Sequence, residues 1–165
     1  MATAIARSAD TGEPVAEVLN GVAREYGRTM GATAAVGSSA PAPPQDAAAA
    51  VKRAVRVLSR YGYEPRFRDG EVKLANCPFH ALAQEQTELA CTMNHALITG
   101  VADALGPHRP DARLCPNRGR CCVVLTPGPN SPPYELHPDS NPSAPVHISS
   151  MTSATEASPR IIPTP

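Results

Sequence analysis

From Thr126 to the C-terminus the sequence places ten of its nineteen prolines among Ser, Thr and Asn, with few large apolar side chains. Such a stretch cannot bury enough surface to offset the entropy of ordering it. The expectation is a disordered Pro-rich tail over residues 126–165, so any core must be built before it. That core must be small: hydrophobic content is 42%, but much of it is alanine, and there are no Trp, two Phe and four Tyr. Residues 1–13 lack a clear apolar pattern and are also expected to be disordered.

Between these flanks the apolar spacing marks discrete elements. Val15, Val18, Leu19, Val22, Tyr26 and Met30 recur at three- and four-residue steps, predicting an amphipathic helix over 14–30. The run GATAAVGSSAPAPPQ, residues 31–45, has the Gly, Ser, Ala and Pro of a flexible linker. Asp46 offers an N-cap to a second helix with the stripe Val51, Ala54, Val55, Leu58 and Tyr61, which Gly62 can end. Asp69-Gly70 between alternating segments predicts a tight hairpin. A short helix follows Pro78, and Thr87 is placed to cap a longer one, with Leu89, Met93, Ala96, Leu97, Gly100, Val101 and Ala104 as its buried face. A second hairpin is expected from Ala112–Cys115 and Cys121–Leu125 around Pro116 to Gly119. The pattern is α+β: helices packed on antiparallel hairpins, with residues 46–125 as one domain.

The chemistry concentrates in residues 76–95, NCPFHALAQEQTELACTMNH. Cys77 falls at a strand-to-helix junction, where helix N-terminal N–H groups favour a thiolate. Cys91 and His95 are four apart, so both can face one site. Cys121 and Cys122 are neighbours in a predicted strand, so one of the two is expected to reach that site. Thirteen residues separate Cys77 from Cys91 and twenty-nine separate Cys91 from Cys121. Neither spacing matches a zinc CxxC pair or a ferredoxin run. The competing account is that these cysteines are small buried hydrophobes and that His80 and His95 are ordinary helix histidines.

Other classes fit less well. A formal net charge of zero removes the electrostatic footprint of a nucleic-acid binder. There is no stretch of eighteen apolar residues and no signal-peptide pattern, so a cytoplasmic protein without a membrane span is expected. No phosphate-cradling loop, paired-carboxylate motif or acidic orienter for a Cys–His pair is present, so an enzyme is not expected and a thiol enzyme is the weaker alternative.

The segments RYGYEPRFRDGEVKLANCPFHALAQEQTELACTMNHALITGVADALG and ARLCPNRGRCCVVL resemble the C-terminal sensor half of bacterial winged-helix transcriptional regulators, the group containing the Suf-operon iron-sulfur repressors. The resemblance covers residues 47–125. It implies a regulatory domain whose cysteines bind an iron-sulfur cluster, with zinc as the alternative metal. Cys77, Cys91 and Cys121 are the implied ligands, Cys122 substitutes for Cys121, and His80, His95 or Cys115 is left for a fourth position. The helix over 14–30 resembles the linker helix that pairs subunits, implying a homodimer. DNA would be reached only through an attached or partner winged-helix domain, because too few residues precede Pro14 to form one. The resemblance therefore implies either a mis-started reading frame or a stand-alone sensor. A metal-free small-molecule-binding or dimerisation module is the alternative function.

Overall fold

The computed structural model describes residues 2–33, 43–116 and 120–128. Of the tail expected over 126–165, residues from 129 onward lie outside them, as do most of the 31–45 linker and the tip of the second hairpin; the expectation is corrected at both edges, because Thr126 ends a buried strand and residues 31–33 continue a helix. The described fold is α+β, with five helices and one four-stranded antiparallel sheet among these residues.

Helix α1 spans Ala2–Thr11 and corrects the expectation of disorder over 1–13. Alanine has the highest helix propensity, and Ala4 is buried where α1 meets the next helix. Gly12, at φ 75°, stops the helix, and its N–H donates to the Ser8 carbonyl.

Helix α2, Val15–Thr33, packs along α5, Thr87–Asp103, and this pairing corrects the reading of its apolar stripe. Val18, Leu19, Ala23, Gly27, Met30 and Gly31 are buried, whereas Val15 and Tyr26 face outward. Small residues decide the face. A Cβ on Gly27 would lie 2.0 Å from the Leu97 carbonyl oxygen, and one on Gly100 would lie 2.0 Å from that of Arg24, so the two backbones touch. The stripe expected to pair subunits is thus covered largely by α5 of the same chain. Asp103 fastens the crossing by accepting from Arg24 Nε at 2.8 Å and Arg28 Nη2 at 3.1 Å, and Arg109 also pairs with it. Burial pushes the Asp103 carboxyl up, but the hydrogen bond and charge of Arg24, with Arg109 and Arg28, outweigh it and hold the carboxyl below its ordinary range.

Helix α3, Ala47–Arg60, follows the sequence closely. The Asp46 side chain accepts from Ala49 N at 2.7 Å, and the helix ends with Gly62 N–H donating to Ser59 and Tyr63 N–H to Leu58. Gly62 has φ 84°, as this paired C-terminal closure requires. Tyr61, assigned to the buried stripe, is exposed, and Tyr63 turns inward instead.

Strands β1, Pro65–Arg68, and β2, Glu71–Leu74, join through Asp69 (φ 54°) and Gly70 (φ 75°), the two positive-φ residues of a tight hairpin turn. Helix α4, His80–Glu85, follows. Thr87 is not a cap: it is the first residue of α5, and its hydroxyl donates to the Ala83 carbonyl. Strands β3, Asp111–Leu114, and β4, Val123–Thr126, complete a sheet of order β1-β2-β4-β3. Val72 pairs with Leu125, and Leu125 with Ala112, so β4 is central. All four of its residues are buried, consistent with a continuous apolar strand covered on both faces.

Two outcomes follow. Gly100→Ala should destabilise the protein by about 1–3 kcal/mol through backbone overpacking, whereas exposed Gly21→Ala, with nothing within 4 Å of the added methyl, should stabilise it by about 0.5–1 kcal/mol through helix propensity. Urea unfolding midpoints distinguish the signs. Because the folded Asp103 carboxyl titrates below its unfolded value, its stabilisation is complete above the ordinary carboxylate range and is lost as pH falls through that range toward the folded value. Asp103→Asn should therefore lower the urea midpoint at neutral pH and converge on the parent as the solution is acidified.

A cysteine-lined candidate site

The site forms where the two hairpins meet. After β2, Ala75 and Asn76 carry the chain to Cys77, and Asn76 Nδ2 donates to the Gly62 carbonyl at 2.7 Å, tying this corner to the end of α3. The Cys121 N–H donates to the Leu74 carbonyl at 3.1 Å, extending the β2–β4 junction and setting Cys121 beside the Cys77 corner. Cys91 projects from the first turns of α5. A cavity of about 290 Å³ is lined by Cys77, Cys91, Cys121 and Cys122, with His80 and Arg120 also on its wall.

Five of the seven candidate ligands therefore share one cavity. Cys121 and Cys122 both line it, correcting the expectation that strand alternation admits only one. The strand begins at Val123, so the two preceding cysteines are not bound by its alternation. His95 does not share it. Its Nε2 donates to the Ala112 carbonyl at 2.8 Å, and its ring lines a separate cavity with Asn20 and Arg24, although Cys91 lies one turn away. Cys115 is exposed, and its N–H donates to the Cys122 carbonyl at 2.6 Å. His80 is exposed and accepts from Gln84 Nε2 at 3.1 Å.

The residues missed from sequence are Asn94 and Tyr63. Asn94 is 0% exposed. Its Nδ2 donates to Cys121 Sγ at 3.1 Å and lies 3.8 Å from Cys77 Sγ, while its Oδ1 accepts from the Tyr63 hydroxyl at 2.5 Å. The available signal was its register: Asn94, Leu97, Ile98 and Val101 follow the i, i+3, i+4, i+7 spacing of one buried helix face.

The electrostatics reverse the expectation of an acidic Cys77. Its hydrogen bond with Cys121 pushes the Cys77 thiol far above its ordinary value, reinforced by burial and by the neighbouring Cys121 charge; the Phe79 N–H opposes this weakly. The Cys121 thiol is also raised, chiefly by its hydrogen bond with Cys122, while that with Cys77 acts the other way. Burial raises Tyr63 as well. With their pKa raised, the Cys77 and Cys121 thiols are ill suited to nucleophilic attack.

Among the described residues, no group of three or more His, Cys, Asp or Glu side chains is arranged to hold a metal ion. The thiols share a cavity without being drawn around one point. The donor set is soft, of the kind that zinc and iron-sulfur clusters both take. Comparison with protein-family models, curated proteins and solved structures finds no match for this chain. Among the described residues, no helix is long and apolar enough to cross a membrane.

Alkylation kinetics test this arrangement. At neutral pH a mild alkylating probe should label exposed Cys115 first and Cys77 much later, although Cys77 is only half-buried. Site-resolved mass spectrometry would contradict the description if Cys77 were the fastest thiol.

Proposed function

We propose that this chain is a cytoplasmic regulatory sensor module that binds an iron-sulfur cluster and acts on transcription through an attached or partner winged-helix domain. The observation that carries the reading is the convergence of Cys77, Cys91, Cys121 and Cys122 on one cavity from three separate parts of the chain. Cys77, Cys91 and Cys121 would hold the cluster, with Cys122 or His80 within the same cavity for a further position. A bound cluster supplies a redox- and oxygen-sensitive centre whose gain or loss reports on the cell. The chain's contribution is to tie the β2–α4 corner, α5 and the start of β4 to that centre, so metal binding couples to the packing of three elements. A homodimer would use the outward faces of α1 and α2, which leave Ile5, Val15 and Tyr26 exposed.

A metal-free module is the second reading, and one observation favours it: Cys121 and Cys122 belong to the buried apolar core. Anaerobic reconstitution with iron and sulfide separates the two. The cluster reading expects visible charge-transfer absorption with stoichiometric iron and sulfide, lost in Cys77→Ser, Cys91→Ser and Cys121→Ser and retained in Cys115→Ser. A protein that folds cooperatively and takes up no iron under these conditions would establish the metal-free module instead.

A further inference from the structure

The geometry points to Asn94 as the positioning residue of the cysteine site: its amide, held by Tyr63, donates to the sulfurs of Cys77 and Cys121 and stabilises them as metal-bound thiolates. This deepens the sensor reading and rests on it.

The argument begins with the cost of the residue. A fully buried carboxamide loses its hydration, so it persists in a core only when its donors and acceptor are satisfied. Asn94 meets that condition in a directional way. Oδ1 is occupied by the Tyr63 hydroxyl at 2.5 Å, which leaves the NH₂ group facing Cys121 Sγ at 3.1 Å and Cys77 Sγ at 3.8 Å. A neutral thiol is a weak acceptor, so this amide gains little from the protonated site. A thiolate, carrying charge, is a strong one. The polarity of Asn94 therefore complements the state in which both sulfurs have lost their protons to a metal. Hydrogen bonds to ligating sulfur are also among the features that set the properties of a cluster.

Tyr63 completes the device. It stands immediately after the helix-ending Gly62, and the end of α3 is anchored to the same corner through Asn76. The buried phenol hydroxyl donates to Oδ1 and so leaves the amide NH₂ turned toward the sulfurs. The pair is asymmetric across the site: Cys77 and Cys121 face the amide donors, whereas Cys91 has no hydrogen bond to Asn94 among those described.

The test uses the full chain, anaerobic and reduced, titrated with ¹¹³Cd²⁺ alone as a soft-metal probe. Binding is read by sulfur-to-cadmium charge-transfer absorption and the amide by NMR of Asn94. The expected result is a downfield shift of an Asn94 side-chain proton with scalar coupling to ¹¹³Cd across the hydrogen bond. Asn94→Leu should weaken Cd²⁺ binding by about 10- to 100-fold, and Tyr63→Phe should weaken it less while reducing the coupling. The wild-type spectrum stands on its own if Asn94→Leu fails to fold. Cd²⁺ held by Cys77 and Cys121 with an unperturbed Asn94 amide would overturn the inference and leave the sensor reading intact. No charge-transfer band at all would overturn both.

Discussion

The β2–β4 junction is the contact on which both the sheet and the site depend. Each hairpin is local and closes by its own turn, but two isolated two-stranded ribbons are marginal in water. Pairing Val72 with Leu125 and Lys73 with Val124 fuses them into one sheet and makes β4 a strand covered on all sides. The same ladder continues outward through the Cys121 N–H to the Leu74 carbonyl, which carries a cysteine from one hairpin to the corner of the other. A register slip of one residue would turn every side chain of β4 to the opposite face of the sheet and shift Cys121 away from the Leu74 carbonyl it now meets.

Helix α5 then converts the sheet into a three-layer arrangement of sheet, α5 and α2. It brings Cys91 to the cysteine cavity and Asn94 to the sulfurs of Cys77 and Cys121, and it accepts α2 at backbone contact through Gly100. A helix buried on both sides has no room for large residues on the second, which is why Gly27, Gly31 and Gly100 occupy the crossing. Asp103 adds a charged fastening at the end of α5, placed where three guanidinium groups reach one carboxylate. Exposed ion pairs contribute little singly, so the close apolar crossing carries most of this interface and the arginines fix its register.

Legibility from sequence followed the range of the interactions. The α3 cap, its glycine stop and the Asp69-Gly70 turn are set by residues within a few positions of one another, and they were readable. The face of α2 was not, because a stripe of large side chains outlines a seam packed at ordinary distance, whereas this seam is made by glycines. Disorder over residues 1–13 was misread for a related reason: α1 gains its burial from contact with α2, which no local pattern contains. At the site, the cysteines were singled out by type and by resemblance to a sensor family, while their spacing was silent. Their meeting depends on the β2–β4 ladder. Asn94 was hidden among the polar residues of α5, although its register with Leu97, Ile98 and Val101 placed it on the buried face.

The walls of the cysteine cavity differ in how firmly they are held. Cys121 and Cys122 belong to the segment leading into β4, the most enclosed strand, and Cys91 rides on α5, the helix packed between the sheet and α2. The remaining wall is α4, six residues with none buried and no side-chain cap at its N-terminus. Local opening favours the elements with the least buried surface and the fewest satisfied helix ends. Helix α4 meets the first condition and carries His80 at the cavity wall, while the N-terminus of α5 also lacks a side-chain cap. Of the helices lining the cavity, α4 is therefore the one held by the least buried surface, and local unfolding should reach it first.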